Sequence, residues 1–194
     1  QIEAIYYSAL RVLYETGLRV YDKEGVEVAH SGGAVVEDAT GDSSLVKIPH
    51  WMVEKALSTV PSSVTLYGRE DKHNLTLEDK KVYLGTGGTA INVLDITTGE
   101  KRLSSLEDIR QIARLVDTLD NIHFYLIPVF PNELPQEQID VNRFYASLTN
   151  TTKHVTGGVW HLEGARQAIK LASIIAGGAE ELKKKPIISA ICCV

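Results

Sequence analysis

Ser104-Ser105-Leu106-Glu107-Asp108-Ile109-Arg110-Gln111-Ile112-Ala113-Arg114-Leu115-Val116-Asp117-Thr118-Leu119 runs directly into Asp120-Asn121-Ile122-His123-Phe124-Tyr125-Leu126-Ile127-Pro128-Val129-Phe130. The first stretch opens on a hydroxyl N-cap and an acidic first turn. Leu106, Ile109, Ile112, Ala113, Val116 and Leu119 recur at helical spacing along one side of it. His123 to Phe130 is apolar and aromatic and too short for a helix, so it reads as a strand. The rhythm repeats downstream. Pro135-Gln136-Glu137 starts a helix to about Thr149, and His154-Val155-Thr156-Gly157-Gly158-Val159-Trp160 is the next strand. Leu162 to Leu182 is the next helix, and Pro186 to Val194 a further β-branched strand. Helices and strands alternating over short links imply βα units and a parallel sheet, and three strands with two helices leave such a sheet incompletely covered.

Working back from residue 104, the period changes near residue 100, so the expected organisation is an N-terminal α+β region over 1–100 and βα units over 101–194. The N-terminal elements are short. A helix over roughly 2–17 ends at Gly17, apolar stretches follow at Arg19-Val20 and Gly25-Val28, and Ser31-Gly32-Gly33 marks a turn. Leu45-Pro49 resembles a strand and His50-Thr59 a short helix. Val64-Tyr67 and Asn74-Leu77 alternate as hairpin arms, with Val82-Leu84 as one more strand. The chain starts at Gln1 inside a helical pattern and stops within an apolar run, so both ends are expected to be cuts in a longer sequence.

Composition narrows the function. The 194 residues are 44% hydrophobic and 23% charged with a net charge of −5, which gives no electrostatic footprint for nucleic acid. No apolar run reaches the ~18–20 residues of a membrane span. Cys192 and Cys193 are adjacent and would face opposite sides of a strand, which favours core packing over a metal pair. His30, His50, His73 and His123 share no ligand spacing, so no metal site is expected. Asp117 and Asp120 fall at the end of a helix and are expected to be solvated. His154 begins its strand, at the end remote from chemistry in βα folds, and is expected to be structural.

The densest local signal is Leu84-Gly85-Thr86-Gly87-Gly88-Thr89-Ala90-Ile91-Asn92-Val93-Leu94-Asp95. Three glycines in four positions permit positive φ and close approach of another group, which suits a ligand loop or a structural turn. No Gly-Lys-Ser/Thr follows, and no helix follows at once, so neither phosphate-binding fingerprint is complete. Together with Thr98-Gly99, Leu119-Asp120-Asn121-Ile122 and Asn150-Thr151-Thr152-Lys153-His154, in this order and spacing, the segment resembles the trimethylamine:corrinoid methyltransferase family along the whole chain.

That resemblance implies a (β/α)8 TIM barrel of which only the first part is present, preceded by a small α+β region. It also implies a cytoplasmic methyltransferase that moves a methyl group from trimethylamine or a quaternary amine such as glycine betaine to the cobalt of a corrinoid. The corrinoid (cobalamin) would be carried by a partner protein, with no bound metal in this chain, and homo-oligomerisation stays open. For a quaternary ammonium the leaving group is a neutral tertiary amine, so the protein's task is to hold the cation in line and exclude water. Barrel enzymes place chemistry at the C-terminal ends of strands. Phe130, Trp160, Tyr125 and His161 are therefore the substrate-binding candidates, the aromatics as a cation cage or as wall packing. Gly85, Thr86, Gly87, Gly88, Asn92, Gly157 and Gly158 are candidates for corrinoid or loop contacts, and the catalytic residues are not identified. The competing expectations are a non-catalytic betaine-binding barrel and a barrel enzyme whose glycine-rich loop takes a phosphorylated ligand.

Overall fold

A computed structural model describes residues 1–37 and 41–191, so the packing expected of Cys192 and Cys193 lies outside the described residues. The chain divides into two compact units, Gln1–Pro61 and Ser62–Val194. The change of period near residue 100 falls inside the second. No helix is long and apolar enough to cross a membrane among the described residues.

In the first unit, helix α1 (Ile2–Arg11) continues into a π turn, Val12–Thr16, and stops at Gly17, whose φ of 74° breaks the helix. Strand β1 (Leu18–Val20) follows, then α2 (Lys23–Ser31), β2 (Val35–Glu37), β3 (Ser44–Lys47) and α3 (His50–Ser58). The Gly25–Val28 stretch is helical because the Asp22 carboxylate accepts the Gly25 amide at 2.6 Å and caps α2. The three strands form an antiparallel sheet in the order β1-β3-β2, with Leu10, Ala34 and Val46 buried.

The second unit begins with a hairpin, β4 (Ser63–Leu66) paired antiparallel to β5 (Leu75–Glu78). Val82–Leu84 is not a strand. The glycine run after it lies extended beside the 124–129 segment, with parallel bridges Gly85 to Phe124 and Ala90 to Val129. Its hydrogen bonds are His123 N to Leu84 O (2.7 Å), Ala90 N to Pro128 O (2.8 Å) and Phe130 N to Ala90 O (2.8 Å). Next come the hairpin β6 (Asn92–Leu94) and β7 (Lys101–Leu103), helix α4 (Leu106–Asp117), β8 (Tyr125–Leu126), α5 (Gln136–Leu148) and β9 (Val155–Gly158). Helices α6 (Leu162–Ala176) and α7 (Ala179–Lys184) and strand β10 (Ile188–Ile191) complete it. The single helix expected over 162–182 is broken at Gly177 and Gly178, whose φ values of 90° and 140° are inaccessible to a continuing helix.

Strands β8, β9 and β10 pair in parallel in sequence order, and the glycine run extends that series on the far side of β8. The parallel set is thus one strand larger than the periodicity indicated. Burial alternates along residues 124–130 and along β9. Tyr125, Ile127, Val129 and Val155 are buried with Ile109, Ala113 and Val116 of α4, Phe144 and Leu148 of α5, and Ala168 and Ala172 of α6. Phe124, Leu126, Pro128 and Phe130, on the alternate positions, are half-buried. The helices therefore cover one face of the sheet, and the architecture is mixed α/β with no closed barrel among the described residues.

The base of this unit is held by polar groups. The Lys153 ammonium, 1% exposed, donates to Val116 O (2.7 Å), Leu119 O (2.7 Å) and Ile122 O (2.6 Å), closing the C-terminal end of α4. Asp117 is not solvated as expected; it accepts from Thr151 Oγ1 (2.9 Å), Thr152 N (2.6 Å) and Thr152 Oγ1 (3.0 Å). Burial raises its pKa, but those donors outweigh it and the net direction is down. His154 Nδ1 lies 2.9 Å from Tyr67 O, so that nitrogen carries the proton, and Nε2 accepts from Ser189 Oγ at 2.6 Å. The Asn150–His154 motif is thus the tie between α4 and the start of β9.

Two outcomes follow from this tie. Lys153→Met leaves three carbonyls without their shared donor and is expected to cost about 3 kcal/mol in urea denaturation. Burial pushes the His154 pKa down, against the opposing Tyr67 bond. The unfolded chain takes up its proton near pH ~6.5, the folded one only at lower pH. Stability from this group is complete above that value and falls as the pH drops below it. Urea midpoints measured between pH 7.5 and 5.5 should decline toward acid, and His154→Gln should flatten the decline.

Candidate functional site

The C-terminal ends of the parallel strands converge on a small group of side chains. Phe130 follows the β8 strand and Trp160 follows β9, and their ring centroids are 5.1 Å apart at 48°. Under Trp160 lies the guanidinium of Arg143, its Cζ 5.2 Å from the ring centroid. Arg143 projects from α5, is 1% exposed, and donates from Nη2 to Thr89 Oγ1 of the glycine run at 3.1 Å. One turn earlier on α5, Asp140 is 3% exposed and accepts from Trp160 N (3.1 Å) and His161 N (3.4 Å), which places an anion at the start of α6. Among the described residues, Arg143 Nε and Nη1 and Asp140 Oδ1 have no hydrogen-bond partner. Burial pulls the Arg143 pKa down, with Asp140 and then Tyr125 opposing.

A polar clamp supports this mouth from the side. Ser104, 1% exposed, donates to Phe130 O (2.6 Å) and is 3.1 Å from Ala90 O. Asn132 Nδ2 bonds Ile91 O (3.0 Å) and Ser104 O (2.9 Å), tying the ends of the two neighbouring strands together. Glu133 accepts the Leu106 amide at 2.7 Å. The hydroxyl N-cap expected from the sequence is Ser105, which forms a capping box with Asp108, and Arg102 grips Asp108 through two bonds of 2.8 and 2.7 Å. The Arg102 guanidinium is the main reason the Asp108 carboxyl is held down to about 2.

The structure sorts the sequence candidates. Phe130 and Trp160 are together. Tyr125 is elsewhere: fully buried beneath α4, it donates its hydroxyl to Ile109 O at 2.9 Å, and burial raises its pKa. His161 is the exposed N-cap of α6, 3.3 Å from Gln136 Nε2, and lines a cavity of about 360 Å³ with Gln136, Asp140 and Gly164 on the α5–α6 seam. Asn92 is half-buried in β6, opposite Leu103. Asp95 forms the turn of that hairpin, accepting from the Thr97 and Thr98 amides at 2.9 and 3.0 Å.

The glycines divide into two kinds. None of Gly85, Gly87 and Gly88 has positive φ, and the run bridges the 124–129 segment at Gly85 and Ala90 instead of forming the turn its composition suggested. A Cβ on Gly85 would stand 2.3 Å from the Phe124 ring, and one on Gly157 2.8 Å from Ile127 Cδ1 and 3.0 Å from Phe144 Cζ. Those two glycines make room for internal packing. Thr86 donates its hydroxyl to Leu126 O, within the same strand contact. By contrast, a Cβ on Gly87 meets nothing within 4 Å, and on Gly88 and Gly158 only atoms at 4.0 and 3.9 Å. Their backbone is open to an approaching group. The extended run also lacks the alternating backbone that gathers N–H groups around a phosphate, and its Ala90 N–H is already bonded.

Sequence reasoning missed Arg143, Asp140, Ser104 and Asn132. Arg143 and Asp140 look like the polar face of an ordinary amphipathic helix, and only packing against the strand ends reveals them as buried. The one available signal was their neighbourhood: Asp140, Arg143 and Ser147 lie three and four apart on α5, a polar stripe that also contacts the apolar side.

A family model described as trimethylamine methyltransferase (MTTB) matches residues 1–194. A trimethylamine methyltransferase of Desulfitobacterium hafniense is 33% identical over 193 residues, covering all of this chain and 38% of that protein. A trimethylamine methyltransferase of Methanosarcina barkeri is 33% identical over 200 residues, covering 100% and 39%. A glycine betaine methyltransferase of Desulfitobacterium hafniense strain Y51 is 26% identical over 191 residues, covering 97% and 38%. The chain thus spans about two fifths of the length of these curated relatives.

The two kinds of glycine are separable by substitution. Gly85→Ala should destabilise the protein by about 1–3 kcal/mol in urea denaturation, because the Phe124 ring must move. Gly87→Ala should change stability by less than about 0.5 kcal/mol.

Proposed function

The chain belongs to the trimethylamine methyltransferase (MTTB) family, and from that premise we propose that it is part of a cytoplasmic enzyme that moves a methyl group from a methylated amine to the cobalt of a corrinoid carried by a separate protein. The substrate is trimethylamine or a quaternary amine such as glycine betaine. The observation that carries this reading is the Phe130–Trp160 pair, two aromatic rings 5.1 Å apart at the C-terminal ends of adjacent parallel strands. Aromatic faces are the groups suited to hold an alkylated ammonium ion, and strand C-terminal ends are where βα enzymes keep their chemistry.

We place the second unit as the opening strands of a (β/α)8 barrel. In support, four parallel segments follow one another in sequence order, and the packed helices cover a single face. On the other face the alternate positions of the 124–130 segment, Phe124, Leu126, Pro128 and Phe130, are apolar and half-buried, in keeping with the inner wall of a barrel.

The residues present suit a large planar corrinoid at the mouth. Gly87, Gly88 and Gly158 leave their backbone bare where any side chain would occupy space, and they border the strands that end in the aromatic pair. When bound, the corrinoid supplies a cobalt centre as methyl acceptor. The chain's own part is to hold the ammonium against Phe130 and Trp160, to orient one methyl group toward the bare glycines, and to exclude water. A quaternary substrate departs as a neutral amine, so no side chain has to donate a proton to it.

The test is to mix the purified protein with reduced cobalamin and trimethylamine, glycine betaine, carnitine or proline betaine, and to follow methylcobalamin by absorbance. At least one amine should be demethylated, and Trp160→Ala should lower that rate at least about tenfold, since the ring is held to contact the substrate. Absence of methylcobalamin with every amine would overturn the reading, and tight binding without turnover would support a non-catalytic binding protein instead.

A further inference from the structure

The aromatic pair accounts for a cation but leaves the charge beside it unexplained. Arg143 is 1% exposed, yet among the described residues only its Nη2 has a partner, the Thr89 hydroxyl at 3.1 Å. Nε and Nη1, which together carry three N–H groups, are buried and bonded to nothing. Asp140, one turn away on α5, directs Oδ2 to the amides of residues 160 and 161 and makes no ion pair with Arg143. A guanidinium keeps its charge at any physiological pH, so the fold carries a buried cation with free donors under the Trp160 ring; it feels the Asp140 charge but makes no direct ion pair with it.

Resting on the methyl-transfer reading above, we propose that Arg143 is a specificity-determining residue that binds the carboxylate of a zwitterionic methylated amine. A carboxylate supplies the opposite charge and the acceptors that the unpaired N–H groups lack. The same guanidinium repels an ammonium that brings no anion with it. Selectivity therefore has an attractive and a repulsive component at one residue. The two parts of such a substrate match the two parts of the site: the alkylated ammonium faces the Phe130–Trp160 pair, and the carboxylate faces Arg143 behind it. Trp160, 46% exposed, is the cover whose side-chain rotation admits the carboxylate.

Isothermal titration of the purified protein with glycine betaine, choline and tetramethylammonium tests this, because choline keeps the ammonium and replaces the carboxylate by an alcohol. Glycine betaine should bind at least roughly 30-fold more tightly than choline or tetramethylammonium, since a buried donor set left unpaired penalises the analogue lacking its partner. Arg143→Gln should abolish most of that preference by weakening glycine betaine and tightening choline, and Arg143→Lys should restore part of it. Acetate should compete with glycine betaine in the native protein and not in Arg143→Gln. The proposal is overturned if folded Arg143→Gln, checked by circular dichroism, binds glycine betaine as the native protein does. It is equally overturned if the native protein binds betaine and choline within about threefold, which decides the matter even should the glutamine variant not fold. Methyl transfer from these amines without discrimination would sink the role of Arg143 and leave the function standing. Selective betaine binding that depends on Arg143 without methyl transfer would do the reverse.

Discussion

The Lys153 ammonium, shared among one carbonyl in the last turn of α4 and two in the segment that follows it, is the contact on which the second unit depends. A helix end leaves its last carbonyls without partners, and a buried one cannot leave them to water. Lys153 satisfies Val116, Leu119 and Ile122 at once, while Asp117 takes the donors of Thr151 and Thr152 in return. The exchange fixes the end of α4 against the beginning of β9. Tyr125 then meets Val155 in register, and every alternate residue above that level is assigned to the covered or the open face. A shift of one residue would exchange those faces.

The open face and the strand ends are where that register is used. Because β8 and β9 pair over only two residues, Phe130 and Trp160 are carried by backbone beyond the ladder, and they are held by their surroundings. Ser104 and Asn132 clamp the carbonyls on one side, and Asp140 holds the Trp160 and His161 amides on the other. This is a small set of directed bonds around two aromatic rings and a buried guanidinium.

Much of the fold was legible. The α4 stripe, its hydroxyl N-cap, the starts of α5 and α6 and the strand at β9 all follow from local spacing, because each depends on neighbours within a turn or two of the chain. The glycine run did not yield to the same treatment. Its glycines were expected to serve a ligand loop or a structural turn, yet Gly85 is required by the Phe124 ring 39 residues away, and no local pattern records such a neighbour. The break at Gly177-Gly178 was legible in principle from glycine's place at helix ends, but the apolar spacing on either side masked it.

In the candidate site, the aromatic pair could be named from strand ends alone, since parallel βα units put their C-terminal ends on one side. Tyr125 could not be excluded that way. Its position one step off in the alternation sends it beneath α4, and the face it takes depends on pairing with β9. By itself, the sequence determined the βα rhythm, the helix caps, the lack of a basic surface and the ordered motifs of a family, all properties of residue type and short-range spacing. Tertiary structure alone decided that Lys153 and Asp117 tie the base together, that Gly87, Gly88 and Gly158 are bare while Gly85 and Gly157 are filled, and that Arg143 is buried beside Trp160. Each of these is a matter of which distant groups come within contact, and burial and charge pairing act on distance in space, not along the chain.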